Sequence, residues 1–236
     1  MVERAMVLAA GLGVRMRPLT DSRPKALVEL HGVTLLDRAF AKCRAAGVSA
    51  MVVNSHYKAE MIHAHVDGMD DVVLSPEDDL LETGGGVCKA LPHLGSQPFY
   101  VINCDSVWND KSPPALARLS EAWRDNDMDG LLLLQQTENA VGYNGAGDFS
   151  IDAAGRMQRR AEGDTAPLVF MGVQLLHPRL FEGCVVARYS LNRLYDQALT
   201  AGRLFGLVHD DDWFHVGTPE DLVVTERLMR ADGPSE

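Results

Sequence analysis

Short apolar runs alternate with amphipathic stretches along the first 135 residues of the chain. Each apolar run is typical of a strand buried on both faces of a parallel sheet, and each amphipathic stretch carries apolar residues at helical spacing. The pattern predicts strands at 5–10, 49–53, 72–74, 99–102 and 131–134, and helices at 35–46, 57–66, 85–94 and from Pro113 after a Ser112 cap. Such alternation indicates βαβ units with right-handed crossovers.

The pattern changes after residue 140. It predicts a hairpin at 148–151 and 156–159, strands at 168–176, 204–209 and 213–216, and helices at 189–201 and after Thr218. No linker, low-complexity tract or internal repeat interrupts the sequence. We therefore predict a single domain over residues 1–236, an α/β fold with a doubly wound, mostly parallel, Rossmann-like mixed sheet and helices on both faces.

Composition narrows the class of protein. A hydrophobic fraction of 46% and a charged fraction of 23% are ordinary for a soluble globular protein. The net charge of −11 comes with no basic stripe, so we expect no nucleic-acid polymer as a partner. No apolar run is long enough to cross a membrane, and the N-terminus lacks the pattern of a signal peptide. The four cysteines are scattered, which predicts buried free thiols and a cytoplasmic location.

A glycine-rich loop with four cationic residues follows the first predicted strand. Residues 11–25 read GLGVRMRPLTDSRPK. The dinucleotide fingerprint needs a third glycine where Met16 stands, and the Walker P-loop spacing is absent. Glycines let backbone N–H groups approach phosphate oxygens, and Arg15, Arg17 and Lys25 offset phosphate charge. The loop by itself predicts phosphate binding.

This string resembles the N-terminal signature of the sugar-1-phosphate nucleotidyltransferases, L-A-(A/G)-G-x-G-x-R-(M/L)-x-P-L-T followed by P-K-(P/A)-L. The matching positions are Leu8, Ala9, Ala10, Gly11, Gly13, Arg15, Met16, Pro18, Leu19, Thr20, Pro24, Lys25 and Leu27. The resemblance implies a GT-A-like fold, with an NTP-binding half over about residues 1–110 and a sugar-phosphate-binding half over about 111–236. It also implies that Leu8, Ala10, Gly11, Gly13, Arg15 and Lys25 hold the nucleotide, with Arg15 and Lys25 acting in catalysis.

A second glycine motif, LETGGG, occupies residues 81–86 and precedes a predicted helix. A glycine-rich helix entry alone explains such a segment. Its form resembles most closely that of the bacterial N-acetylmuramate-1-phosphate uridylyltransferases, and the resemblance implies that Glu82, Gly84 and Gly85 contact the base.

A third motif, VINCDS at 101–106, places Asn103 and Asp105 at the end of a buried strand. Carboxyl ends of parallel strands are where doubly wound folds bind ligands, and a hard cation such as Mg²⁺ needs oxygen ligands. An Asp that merely caps the following turn is the alternative. The resemblance makes Asp105 a catalytic metal ligand and places Asn103 against the ribose or phosphate. It further implies that Asp148 and Gly172 contact the sugar phosphate.

The sequence departs from the family near its C-terminus. The family pattern W-x-D-x-G-T carries a second metal-binding Asp, whereas residues 213–218 read WFHVGT and place His215 there. Imidazole suits transition metals better than Mg²⁺. Three interpretations stay open: His215 binds Mn²⁺ or a similar ion, it hydrogen-bonds a metal-bound water, or the site is weakened. One of Asp210, Asp211 and Asp212 standing in as a ligand is a further alternative.

The resemblance implies an activity. The chain is expected to transfer NMP from an NTP, with UTP preferred, to a sugar 1-phosphate such as N-acetylmuramate 1-phosphate, with Mg²⁺ or Mn²⁺ as cofactor. The alternatives are a guanylyltransferase acting on mannose or heptose 1-phosphate, and a nucleotide-binding homologue weakened by His215. We expect a cytoplasmic monomer or homodimer in nucleotide-sugar biosynthesis, specifically peptidoglycan recycling, with no membrane partner.

Overall fold

A computed structural model describes residues 2–229 of the chain. Its strands are β1 Arg4–Leu8, β2 Glu29–Leu30, β3 Val33–Thr34, β4 Ala50–Ser55, β5 Val72–Pro76, β6 Phe99–Asn103, β7 Ser106–Trp108, β8 Gly130–Gln136, β9 Phe149–Ile151, β10 Met157–Arg159, β11 Leu168–Leu176, β12 Leu204–Val208 and β13 Trp213–His215. The helices are α1 Leu19–Ser22, α2 Leu35–Ala45, α3 Ala59–Val66, α4 Glu82–Leu94, α5 Ala115–Ala122, α6 Asn192–Thr200 and α7 Pro219–Leu228.

Nine of the strands form one mixed sheet. The order β12-β8-β11-β6-β1-β4-β5 runs across it, and the β9–β10 hairpin attaches to β11. Seven of the nine strands point the same way, since only β10 and β11 run against the others. The predicted α/β fold with a mostly parallel mixed sheet is therefore confirmed.

Helices cover both faces of this sheet because side chains of each strand alternate between two cores. On β1, Val7 packs into the core that contains Phe40 of α2, together with α3 and α5. The neighbouring Met6 packs into the opposite core, which contains Val87 of α4 and Leu194 of α6. Burial on both faces explains why the central strands read as continuous apolar runs.

A small second unit packs beside the sheet. Strand β7 pairs antiparallel with β13, and Val107 and Phe214 from this pair share a core with Leu222 of α7 and with the β2–β3 hairpin. Helix α7 begins as predicted, since Thr218 and Asp221 form a capping box at its start. The apolar pattern did not predict β7. This pair brings the C-terminal part of the chain against the residues that follow β6.

Four predicted helix starts are wrong, and contacts with residues outside the helix account for two of them. Helix α3 begins at Ala59 rather than at residue 57, because Lys58 has a left-handed φ of +51°. Helix α5 begins at Ala115 rather than Pro113, since the Asp110 carboxylate accepts a hydrogen bond from the Ala115 N–H at 2.8 Å and Pro114 is extended. Helix α6 begins at Asn192, after residues 189–191 have hydrogen-bonded to 81–84. Helix α4 begins earlier than expected, at Glu82.

The predicted division of the chain into two halves near residue 110 stays a prediction, and both halves contribute strands to the same sheet. Cysteines 43, 88 and 104 are buried free thiols as predicted, whereas Cys184 is only half-buried. Within residues 2–229, no helix is both long enough and apolar enough to span a lipid bilayer.

Candidate functional site

A first cleft of about 360 Å³ opens at the carboxyl ends of the parallel strands β1, β4 and β6. This is the edge where doubly wound sheets bind ligands. The cleft is lined by Leu8, Ala9, Ala10, Gly11, Lys25, Asn54, Leu80, Glu82, Thr83, Asn103, Cys104, Asp105 and Ser190. Seven of the predicted site residues therefore meet here: Leu8, Ala10, Gly11, Lys25, Glu82, Asn103 and Asp105.

The glycine loop after β1 needs glycine for two different reasons. Gly13 has a φ of +62°, and a Cβ there would lie 2.9 Å from Thr20 Cγ2. The Thr20 hydroxyl donates to the Gly13 carbonyl at 2.8 Å and holds the turn. No atom lies within 4 Å of a Cβ built on Gly11, so its backbone faces open space where a ligand can approach. Gly13 shapes the loop, and Gly11 lines the cleft.

The predicted catalytic residues Lys25 and Asp105 form an ion pair inside the first cleft. Lys25 Nζ donates to Asp105 Oδ2 at 2.6 Å, and the two side chains are 13% and 23% exposed. Burial raises the pKa of Asp105, but the charge and hydrogen bond of Lys25, with a contribution from His215, outweigh it and hold that pKa below its usual value. Asp105 is thus an anion in the cleft.

A second cleft of about 500 Å³ holds two more of the predicted residues, Arg15 and His215. The pairing of β13 with β7 sets His215 opposite Ser106, and the Val216 N–H donates to the Asp105 carbonyl at 3.3 Å. Burial lowers the pKa of His215, and the nearby cations of Lys25 and Arg15 lower it further, while Asp105 opposes them. His215 is therefore a neutral imidazole beside Asp105.

Few protein side chains are placed to bind a metal ion. Within residues 2–229, no three His, Cys, Asp or Glu side chains are grouped to hold a metal ion. The acidic run upstream of His215 is engaged elsewhere, since Asp210 pairs with Arg118 and the Asp212 carboxylate accepts from Asn109. A cation at Asp105 would take most of its ligands from water and phosphates, which is the usual arrangement for Mg²⁺.

The LETGGG segment divides its residues between the cleft and the interior. Glu82 and Thr83 line the first cleft. The Gly84 and Gly85 N–H groups instead donate to the Tyr189 carbonyl at 2.9 and 3.2 Å, which packs helix α4 against residues 187–190. These two N–H groups are therefore already occupied by protein, and contact of Gly84 and Gly85 with a base stays a prediction.

The predicted sugar-phosphate residues lie along β11. Gly172 has a φ of +79°, and a Cβ there would come within 2.8 Å of Asn103 Nδ2, so this glycine packs directly on Asn103. Asp148 Oδ2 accepts from the Phe170 N–H at 3.0 Å. Burial raises the pKa of Tyr143, which lines the second cleft, and the charge of Asp148 raises that pKa further. Contact of Asp148 or Gly172 with a sugar stays a prediction.

Sequence reasoning missed three residues at the first cleft. Asn54 is the next-to-last residue of β4 and lines the cleft, and the rule that found Asp105 at a strand end also applies to it. Ser190 arrives from a loop more than 100 residues further along the chain, and Glu77 lies behind Asn54. Neither of these two belongs to a motif or to a periodic pattern.

The chain is similar in sequence to known nucleotidyltransferases. A MobA-like NTP transferase domain matches residues 5–142. N-acetylmuramate alpha-1-phosphate uridylyltransferase of Caulobacter vibrioides is 38% identical over 96% of this chain and 97% of that protein. The protein of the same name from Neisseria meningitidis is 33% identical over 97% and 99%. A mannose-1-phosphate guanylyltransferase of Mycobacterium tuberculosis is 27% identical over 98% and 66%.

A solved structure shares the fold. A putative glucose-1-phosphate thymidylyltransferase from Bacillus anthracis superposes with a TM-score of 0.83 at 14% identity, covering 99% of this chain and 98% of that one. The family match spans more than half of the chain, and the relatives match nearly all of it. The chain therefore belongs to the sugar-1-phosphate nucleotidyltransferases with a MobA-like NTP transferase domain.

Proposed function

We propose that the chain transfers UMP from UTP to N-acetylmuramate 1-phosphate and releases pyrophosphate. The observation that carries this proposal is the 38% identity to the Caulobacter uridylyltransferase over nearly the full length of both chains. The first cleft supports it, because backbone of the glycine loop and the ammonium of Lys25 line the space that a triphosphate requires.

The chemistry is in-line attack of a sugar-phosphate oxygen on the α-phosphorus of the NTP. The bond from the α-phosphorus to the bridging oxygen breaks as the new bond to the sugar phosphate forms, and pyrophosphate leaves with that oxygen. A phosphate monoester has a second pKa of about 6, so the nucleophile is already ionised at neutral pH. No general base is needed, and the chain contributes positioning and positive charge from Arg15 and Lys25.

Asp105 is the residue we propose to hold Mg²⁺ or Mn²⁺. Its carboxylate is ionised and half-buried, which suits a hard cation that completes its shell with water and phosphate oxygens. A cation held there would neutralise negative charge on the phosphates. Lys25 already forms an ion pair with Asp105 Oδ2, so the carboxylate keeps this ammonium inside the cleft before substrate arrives.

The test of the proposal is pyrophosphate release by the purified chain with Mg²⁺ or Mn²⁺, across UTP, GTP, CTP, ATP and dTTP and a panel of sugar 1-phosphates. We expect UTP with N-acetylmuramate 1-phosphate to give the highest kcat/KM. An equimolar competition between UTP and GTP, with products separated by mass, measures the base preference directly. No pyrophosphate from any pair would contradict the proposal.

Guanylyl transfer to mannose or heptose 1-phosphate is the second candidate, because guanylyltransferases are also among the relatives. It predicts that GTP outcompetes UTP in the same assay. A third candidate is a weakened, nucleotide-binding homologue, and His215 in the place of the family's Asp is the observation behind it. That candidate predicts nucleotide binding without pyrophosphate release.

His215→Asp tests the metal site. The new carboxylate adds an oxygen ligand beside Asp105, so we expect Mg²⁺-dependent turnover to rise by about tenfold. Without metal the variant should melt at a lower temperature than the parent, because it adds negative charge near Asp105 and Asp221, and Mg²⁺ should restore the melting temperature.

His215→Asn is the matched control, since it removes the imidazole without adding charge. Equal responses of the two variants to Mg²⁺ would mean that position 215 does not reach the metal. Nucleotide binding measured in parallel separates a lost metal site from a lost cleft.

A further inference from the structure

We infer that Glu77 is the positioning residue that fixes both walls of the first cleft, and with them the nucleoside end of the NTP; this rests on the proposed function. Glu77 is only 5% exposed, and a buried carboxylate requires hydrogen bonds to both oxygens. Oε1 accepts from Asn54 Nδ2 at 2.7 Å, and Oε2 accepts from the Leu81 N–H at 2.9 Å. Leu81 is the first residue of LETGGG, so one oxygen holds that wall.

The other oxygen holds the start of the glycine loop through Asn54. The Ala9 N–H donates to Asn54 Oδ1 at 2.7 Å, and Asn54 is 3% exposed. A carboxylate only accepts and a backbone N–H only donates, so the amide of Asn54 has a single orientation that satisfies both neighbours. The start of the glycine loop is thereby connected to LETGGG through two side chains, although the two segments lie about 70 residues apart.

Backbone contacts and the packing of a neighbouring glycine also hold Glu77 in place. Its own N–H donates to the Ser55 carbonyl at 2.8 Å, and His56 Nδ1 lies 2.9 Å from its carbonyl oxygen. A Cβ on Gly86 would lie 2.7 Å from Glu77 Oε1 and 2.9 Å from Asn54 Nδ2. Gly86, the third glycine of LETGGG, therefore leaves room for the hydrogen bond between Asn54 and Glu77. This role of Gly86 is distinct from ligand contact.

Glu77→Gln is the isosteric test. Glu77 accepts two hydrogen bonds on two oxygens, whereas an amide offers one oxygen and one NH₂ group, so one of the two buried donors must face another donor. Loss of one such bond is expected to raise the Kd for UTP about tenfold. The KM for the sugar 1-phosphate should stay within about twofold, because the Glu77 side chain bonds to Asn54 and Leu81, neither of which lines the second cleft.

Asn54→Asp combined with Glu77→Gln exchanges donor and acceptor. The carboxylate now at position 54 accepts from the Ala9 N–H and from the amide at position 77, and that amide's oxygen accepts from Leu81. The double variant keeps the net charge of the parent and satisfies every group, so UTP binding should return to within about twofold of the parent. Asn54→Asp alone sets two carboxylates face to face, and this variant should bind UTP more weakly than the parent or the double variant.

The measurements are equilibrium binding of UTP and of GTP, melting temperature, and the KM of each substrate. Weakened nucleotide binding in the single variants with recovery in the double variant supports the inference. Unchanged nucleotide binding in Glu77→Gln, or a double variant as defective as the singles, overturns it. A merely structural role would lower the melting temperature and kcat with the NTP KM unchanged, and would overturn it as well.

Binding of nucleotide does not need the sugar, so the outcome is separate from that of the proposed function. A parent chain that binds UTP but releases no pyrophosphate would contradict the proposed function and leave the Glu77 test intact. If Glu77→Gln does not fold, the double variant alone still decides, through its own nucleotide Kd.

Discussion

Asp105→Asn is expected to lower pyrophosphate release by about 10²–10³-fold. The substitution keeps the shape of the side chain but removes the anion that pairs with Lys25 at 2.6 Å and that we propose as the metal ligand. Lys25, which is only 13% exposed, then has no counter-ion at that position. Steady-state kinetics at saturating UTP and sugar 1-phosphate measure the loss, and it should appear mainly in kcat.

Asp127→Asn is the matched control for this experiment. Asp127 also forms an ion pair, with Arg124 at 3.2 Å, but its side chain is 57% exposed. Its removal should leave kcat within about twofold, as exposed pairs contribute little. Full activity in Asp105→Asn would remove Asp105 from the reaction altogether, whatever its place in the cleft.

Gly85→Ala is expected to lower the free energy of unfolding by about 3 kcal/mol. In an exposed helix the same change stabilises by about 1 kcal/mol. Here the new Cβ would lie 1.9 Å from the Ala187 carbonyl oxygen, so residues 187–190 must move away. That movement also breaks the hydrogen bonds from Gly84 and Gly85 to Tyr189, and the steric cost outweighs the gain in helix propensity. Urea unfolding measures the difference.

Gly11→Ala provides the comparison for stability. A Cβ on Gly11 meets no atom within 4 Å, and this glycine does not have a left-handed φ. Its free energy of unfolding should change by less than about 0.5 kcal/mol. If Gly85→Ala proves equally harmless, the close packing of the 187–190 segment on helix α4 is wrong.

The sheet and the first cleft were predictable because their signals are local. Apolar runs indicated the central strands, and Asp105 stood out as a carboxylate two residues after the end of one of them. The positions of Lys25 and Gly11 followed from the resemblance of a contiguous loop. In each case the residues that carry the signal lie within a few positions of one another.

The remainder of the site depends on contacts between distant segments. Strand β7 is three residues long and exists because β13, about 100 residues later, pairs with it. The Gly84 and Gly85 N–H groups donate to the carbonyl of residue 189. No sequence pattern around LETGGG predicts this contact. Glu77 resembles any surface acid in the sequence, and only the fold shows that two donors from separate segments converge on it.

Strand β11 lies between β6 and β8 and hydrogen-bonds to both. Together with the β7–β13 pair and the packing of residues 187–190 on α4, it joins the residues before residue 110 to those after it. Recombination near residue 110 would join segments from two different proteins, and their strand edges and loops would not be matched to each other. Base and sugar preference in this lineage should therefore have diverged by point substitution within an intact chain, and relatives should resemble one another to a similar degree on both sides of residue 110.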